Sequence, residues 1–536
     1  MHKSAHVDSF ARDHLPPQAE WPALRFDRPE LNYPTQLNCA AELLDRVVDS
    51  GHGERTALIT PEASCTYRQL HVRANQIAQV LVEDLKLVPG NRVLLRGPNN
   101  PMMAACWLAV IKAGCVAVAT MPLLRAKELS QIVNKAEVGT ALCDVRLVEE
   151  LRLARPDTPS LKRVLTFNDR GPGSLEAMLE KKSGEFANVD TAADDVALIA
   201  FTSGTTGQPK GTLHFHRDVL AMCDCFPRSI LKSEPDDIFC GTPPLAFTFG
   251  LGGMLCFPLR VGAATVLVEK LLPETLLATI QDTRATVCFT APTFWRLMAP
   301  LAANYDLSSL KKCVSAGEAL PDATRQLWKQ ATGLEIIDGI GATEMIHIFI
   351  SHTPESVRRG ATGYAIPGYR ARVVDAAGKP QAAGVVGRLA VQGPTGCRYL
   401  ADPRQTDYVQ DGWNLTGDAY KMDADGYFFY QARTDDMIIS AGYNIAGPEV
   451  EEALLRHEAV AECAVVGQPD AERGQRVAAY VVLRAGQTPS PELARQLQDF
   501  VKAVIAPYKY PRRVDFVASL PRTETGKLQR FKLKTL

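Results

Sequence analysis

No stretch of this chain approaches the roughly 18–20 consecutive apolar residues that a membrane-spanning helix requires. The N-terminus also lacks a secretory signal, because Met1 to Pro17 carry charges throughout and contain no apolar block. Net charge is nearly absent, with 59 Lys and Arg against 60 Asp and Glu leaving −1. Without a global field, neither nucleic acid nor an anionic membrane is an expected partner, and any anion must be gripped locally. Paired cysteine spacing is missing as well. The 13 cysteines scatter from Cys39 to Cys463, and the one close pair, Cys223 and Cys225, fits no common zinc pattern. Reduced thiols and a cytoplasmic location are expected. What remains is ordinary globular composition, 46% hydrophobic and 22% charged over 536 residues. That length exceeds one core, so roughly two to four domains are expected.

Short β-rich runs alternate with amphipathic stretches for most of the chain. Strands are expected at Arg92–Leu95, Val116–Ala119, Ala141–Asp144, Val164–Phe167, Thr265–Val268, Thr286–Phe289 and Cys313–Ser315, with helices such as Tyr67–Val82 and Asn100–Ala113. The alternation predicts an α/β fold with mostly parallel sheets covered by helices. Turn residues become denser from Gly363 to Tyr430, marking a β-rich subdomain. Beyond Asp436 a separate βαβ-type module is expected, with helices at Pro448–His457 and Glu492–Ile505 and strands at Cys463–Val466, Ala478–Leu483 and Val514–Val517.

The richest segment is Thr202–Ser203–Gly204–Thr205–Thr206–Gly207–Gln208–Pro209–Lys210–Gly211, at the exit of the apolar run Val196–Phe201. Glycines admit backbone N–H groups to anionic oxygens, hydroxyls add donors, and lysine supplies a point charge. A P-loop would end in Gly-Lys-Ser/Thr, whereas here Pro209 precedes Lys210 and Gly211 follows it. The departure points away from P-loop hydrolases. A second strand-like run, Leu334–Ile337, leads into Asp338–Gly339–Ile340–Gly341–Ala342–Thr343–Glu344, which offers a hydroxyl and a hard oxygen ligand suited to magnesium. Thr416–Gly417–Asp418 could accept ribose hydroxyls, although its composition alone reads as a turn. Arg433–Thr434–Asp435–Asp436, followed by Ser440–Ala441–Gly442–Tyr443, and Pro521–Leu528 with Lys527 complete the set. His214–Phe215–His216 has the alternation of a metal pair, but its place beside the phosphate loop argues against one.

In this order the five segments resemble the signature of the adenylate-forming superfamily, which includes acyl-CoA synthetases, peptide-synthetase adenylation domains and luciferases. The resemblance covers essentially the whole chain. It implies an acid- and ATP-binding N-terminal domain over residues 1–434, built of several subdomains, and a small mobile α+β domain over 435–536. By that resemblance Thr202, Ser203, Gly204, Thr205, Thr206, Gly207 and Lys210 grip the β- and γ-phosphates. Thr343 meets the α-phosphate, Glu344 holds Mg²⁺, and Asp418 with Arg433 holds the ribose. Ser315–Ala316–Gly317–Glu318, Asp338 and Gly339 border the adenine, with Ser315 and Ala316 also facing the acid. Asp435 is the hinge, Lys527 is the catalytic lysine of adenylation, and Gly442 and Tyr443 face a coenzyme A tunnel. The residues around His214 fall where the family has a helix start. One departure is Ala432, where the family usually has glycine.

The acid pocket resembles that of benzoate-type ligases through Leu245–Gly252, which contains Phe247, Thr248, Phe249 and Gly250, and through Gly341 and Glu344–Phe349 with His347 and Ile348. Aromatic walls suit a flat ring, and an imidazole can bond a polar substituent. Ala5–Asp13 and Gly97–Met102 resemble bacterial 2-aminobenzoate–CoA ligases. The expected activity is therefore AMP-forming ligation of an aromatic acid, 2-aminobenzoate first and benzoate second, to coenzyme A by a monomer or homodimer. Two other readings stay open: an enzyme that loads a carrier protein, and a non-catalytic nucleotide- or acyl-binding regulator. The absence of a carrier domain after Leu536 favours free coenzyme A, and Lys210, Glu344, Asp418, Arg433 and Lys527 together argue against a regulator.

Overall fold

The Val93–Leu95 run is buried on both faces, as a central parallel strand must be. It anchors a six-stranded sheet ordered Arg163–Phe167, Thr140–Asp144, Arg92–Arg96, Val116–Thr120, Val196–Thr202 and Lys210–Phe215. Every neighbour pairs in parallel except the last two strands, which are antiparallel. The computed structural model describes residues 2–202, 209–434, 436–440, 443–470, 472–522 and 528–535. A nine-stranded sheet has a parallel centre that runs from Ile336–Gly341 through Lys312–Ser315, Val287–Thr290, Ile238–Gly241 and Ala264–Val266 to Thr56–Ile59. Ile348–Ser351 pairs antiparallel with Ile336–Gly341 beyond that centre.

The helix Pro101–Lys112 begins where Asn100 accepts a hydrogen bond from Met103 N–H and Pro101 occupies the first turn. Ten of its residues are buried, and nine of them, Met103 to Ile111, belong to the same apolar core as residues of both sheets. A five-stranded antiparallel sheet follows, built on Arg370–Val374, Val386–Gln392, Trp413–Met422 and Phe428–Arg433. From Ile438 onward the strands join a different sheet, with its own core around Val450, Leu454, Val477 and Leu497. The α/β architecture, the β-rich subdomain and the small C-terminal domain are thus all present.

Several local expectations change. The C-terminal βαβ unit is limited to Gly474–Leu483, helix Pro491–Val504 and Arg513–Phe516; the strand before it, Val460–Asp470, forms an antiparallel hairpin with Gly474–Leu483. Asp338 to Gly341 lie within a strand, since pairing with Ile348–Ser351 continues the ladder through both glycines. Thr416–Gly417–Asp418 is also in a strand. It bulges where Leu389 faces three residues, and Gly417 takes the left-handed φ of 76° that the bulge needs. His214 sits on the strand Lys210–Phe215, and the helix starts only at His216. All thirteen cysteines are free. Among the described residues, no helix is long and apolar enough to cross a membrane.

Candidate active site

Thr202 and Lys210 are paired across antiparallel strands, so the glycine-rich segment connects two hairpin strands at the sheet edge. Ser203 through Gly207 lie outside the described residues, as do Asp435, Gly442 and Lys527. Both Thr202 and Lys210 border a cavity of about 1270 Å³. Thr343, Glu344, Asp418 and Arg433 line the same cavity, arriving from two other sheets. The sequence motifs therefore converge on one space.

Lys210 Nζ lies 3.4 Å from the Tyr399 hydroxyl and 5.2 Å from the centre of its ring. The same hydroxyl donates to Glu344 Oε1 at 2.5 Å. A short helical turn, Thr343–Met345, carries Glu344, and the next residue, Ile346, has φ 65°. A β-branched side chain rarely occupies that region, so the turn is strained where it passes from Glu344 to His347. Arg433 donates to Asp418 Oδ1 at 3.1 Å and to Thr416 C=O at 2.9 Å. A Cβ on Gly417 would approach Arg433 Nη2 to 2.7 Å, which keeps that position small. Burial raises the Asp418 carboxyl even with Arg433 beside it.

Asp338 and Gly339 line the cavity. Burial pushes Asp338 up to about 7, and Arg325 only partly opposes it. Gly317 and Glu318 border the cavity too. The Glu318 carboxylate is already engaged, accepting from Thr293 Oγ1 at 3.1 Å and from Arg522 at 3.1 Å. Arg522 and Leu528 face each other across a β-bridge and both border the cavity, bracketing the segment that contains Lys527. Tyr443 is not at the cavity. It is half exposed and stacks on Tyr508 with ring centres 4.5 Å apart.

A magnesium ion takes one or two carboxylates and completes its shell with substrate phosphates and water. Glu344, a cavity-lining carboxylate with Lys210 held nearby through Tyr399, fits that donor set. No cluster of three metal-ligating side chains occurs among the described residues.

Of the expected acid-pocket residues, Gly341 alone lines the large cavity. Gly341 pairs with Ile348, and beyond that pairing lies a closed cluster of rings. His347 sits 4.5 Å from Phe257, 5.6 Å from Phe249 and 6.0 Å from Phe226, measured between ring centres. A helix that passes from Thr248–Leu251 through a wider turn, Gly252–Cys256, presents Gly252 to this imidazole. A Cβ there would come within 2.5 Å of His347 Cδ2. Gly250 instead packs on the Pro244 carbonyl, so Gly252 is the glycine beneath the cage. His347 Nε2–H donates to Phe249 C=O at 3.3 Å, while Nδ1 is buried with no hydrogen-bond partner among the described residues. Burial lowers this imidazole to about 3, so it is neutral at ordinary pH. Phe247 and Thr248 face a small apolar hollow with Trp107 and Leu198. Ser315 and Ala316 are buried and do not line the cavity, and the Ser315 hydroxyl has no hydrogen-bond partner among the described residues.

Tyr399 escaped the sequence reading. Its place depends on pairing with Thr212, far away in the chain, and Gly396–Cys397–Arg398–Tyr399 carries no local signal of that contact.

The fold and this convergence define a nucleotide-dependent enzyme of the AMP-binding class. The AMP-binding enzyme family matches residues 45–399 and the AMP-binding enzyme C-terminal domain matches residues 449–527, so the chain belongs to that family. Within the adenylate-forming superfamily it falls among relatives of the benzoate–CoA ligases. The benzoate–CoA ligase of Thauera aromatica is 35% identical over 95% of this chain and 97% of its own. The anthranilate CoA ligase AuaEII, solved with anthranoyl-AMP, superposes with a TM-score of 0.90 at 34% identity, covering 95% of this chain and 98% of its own. A benzoate CoA ligase from Burkholderia xenovorans LB400 has a TM-score of 0.85 at 32% identity, covering 93% of this chain and 100% of its own.

Proposed function

We propose that this chain is an AMP-forming ligase that joins an aromatic carboxylic acid, 2-aminobenzoate by preference, to coenzyme A. The observation that carries the reading is the convergence of Lys210, Thr343, Glu344, Asp418 and Arg433 on one cavity, whose wall residue Gly341 pairs with Ile348 next to the ring cluster around His347. In the first half-reaction a carboxylate oxygen attacks the ATP α-phosphorus, the bond to the bridging oxygen breaks, and pyrophosphate leaves. Lys210 and Lys527 hold charge on the phosphates, Thr343 positions the α-phosphate, and Asp418 with Arg433 orients the ribose. Magnesium held by Glu344 and the phosphates supplies further positive charge when bound. In the second half-reaction the small domain, residues 435–536, turns about Asp435 and withdraws Lys527. The coenzyme A thiolate then attacks the acyl carbon beside Gly442 and Tyr443, and the C–O bond to AMP breaks.

The cage supports the finer substrate. A neutral His347 that spends its Nε2–H on Phe249 keeps the Nδ1 lone pair as an acceptor, which complements an ortho-amino N–H. Thr248 is the second candidate for sensing that group. Comparing kcat/KM for 2-aminobenzoate, benzoate and a medium-chain fatty acid tests the assignment. The amino acid should lead benzoate by about tenfold, the worth of one satisfied buried hydrogen bond. A preference for the fatty acid would sink the aromatic reading.

A further inference from the structure

Two side chains that the proposed reaction does not use, Tyr399 and His214, join the two halves of the ATP grip. The segment Arg398–Leu400 pairs with the strand that carries Lys210: Leu213 N–H donates to Arg398 C=O and Leu400 N–H to Gly211 C=O, both at 2.8 Å. This places Tyr399 beneath Lys210, fully buried. From there its hydroxyl reaches Glu344 on the neighbouring sheet. Two residues beyond Thr212, on the same strand, His214 Nε2–H donates to Thr343 C=O at 2.8 Å. His214 is itself buried, with Nδ1 3.8 Å from the Asp218 carboxylate. Asp218 is ion-paired with Arg398, the residue next to Tyr399. Burial alone would raise the Asp218 carboxyl, but Arg398 and His214 beside it turn the shift downward.

We propose that Tyr399 and His214 are positioning residues that hold the Thr343–Glu344 turn at two points, so that the Glu344 carboxylate stays aimed at the metal of Mg·ATP. The inference rests on the reading of Glu344 as the magnesium ligand. Without the Tyr399 hydroxyl, Glu344 is free to swing onto Lys210, and each would neutralise the other. A hydroxyl between them accepts from the ammonium and donates to the carboxylate, which keeps both charges in place and separate. His214 fixes the backbone of the same turn and leaves the carboxylate free to bind.

The test measures ATP binding by calorimetry without acid substrate, once with Mg²⁺ and once with chelator, for the wild type, Tyr399→Phe, His214→Gln and His214→Leu. Loss of one charge-assisted hydrogen bond should weaken Mg·ATP binding by about tenfold in Tyr399→Phe, while metal-free ATP binding stays within about twofold. The Mg²⁺ concentration for half-maximal pyrophosphate exchange should rise in parallel. His214→Gln keeps a donor at the Nε2 position and should match the wild type, whereas His214→Leu should behave like Tyr399→Phe. Unchanged Mg·ATP affinity in Tyr399→Phe overturns the proposal, as does an equal loss with and without metal. If Tyr399→Phe does not fold, the His214 pair decides, and equal affinity in its two members is fatal. A wild type that binds no Mg·ATP overturns the ATP-site reading itself, a result distinct from these.

Discussion

The cleft and the cage are built on opposite plans. In the cleft, charged groups from separate segments face a large open space and are held by named partners: Arg433 on Asp418, Tyr399 on Glu344, Arg522 on Glu318. In the cage, rings fill their own volume around one neutral histidine, and glycine leaves the room that they need. Polar partners fix positions in the cleft before ligand arrives, so its geometry survives change elsewhere. Packing fixes the cage, so a change of one methyl group is felt by every ring.

The comparison breaks if cleft variants alter acid selection or cage variants alter ATP use. The largest effect is expected for Lys527→Ala, which should slow adenylation by about 10²–10³-fold, the usual cost of one preorganised charge, and largely spare thioester formation from supplied acyl-adenylate. Acid-dependent ATP–pyrophosphate exchange and a single-turnover thioester assay read the two halves separately. Equal loss in both would end the moving-domain account.

Asp338 offers a sharper test, because its effect depends on pH. In the folded chain it keeps its proton up to about pH 7, against about 4 when unfolded. The folded state therefore binds more protons between those values, and stability falls as pH rises through that window and then levels off. Asp338→Asn should remove this loss, gaining on the order of 1–3 kcal/mol at pH 8 and nothing at pH 4. Denaturant melts at the two pH values check it; a gain of equal size at both would show that the carboxyl is not the cause.

The smallest expected effect belongs to the cage. His347→Leu should cost about tenfold in the ratio of 2-aminobenzoate to benzoate kcat/KM and leave the ATP KM unchanged. Because burial keeps His347 neutral, the wild-type ratio should stay flat from pH 6 to 9. A ratio that titrates in that range would assign the selectivity to another group.

The same contrast explains what could be read in advance. Lys210 and Glu344 stand in segments whose composition already speaks of phosphate and metal, the ribose role of Asp418 and Arg433 rested on the family resemblance, and the structure gathers all four. The alternating strands announced the parallel sheets, since burial on both faces leaves continuous apolar runs. Gly339 and Gly417 misled because glycine suggests a turn, whereas ladder pairing on either side held both within strands. Gly252 was overshadowed by Gly250, because the distinction between them is which neighbour a Cβ would strike. Tyr399 went unseen, and His214 was noticed only as half of a possible metal pair, because Lys210 and Thr343, the groups they hold, lie over a hundred residues away in the chain.

Cleft and cage meet on one hairpin, Ile336–Gly341 with Ile348–Ser351, and the strained Ile346 lies in the turn between them. That single seam gives the molecule a particular evolutionary freedom. Descendants can redraw the rings around His347, trading one acid for another, while inheriting the nucleotide machinery intact. Only the few residues of the seam must satisfy both at once, so the history of substrate change in such enzymes should be written away from that turn and seldom in it.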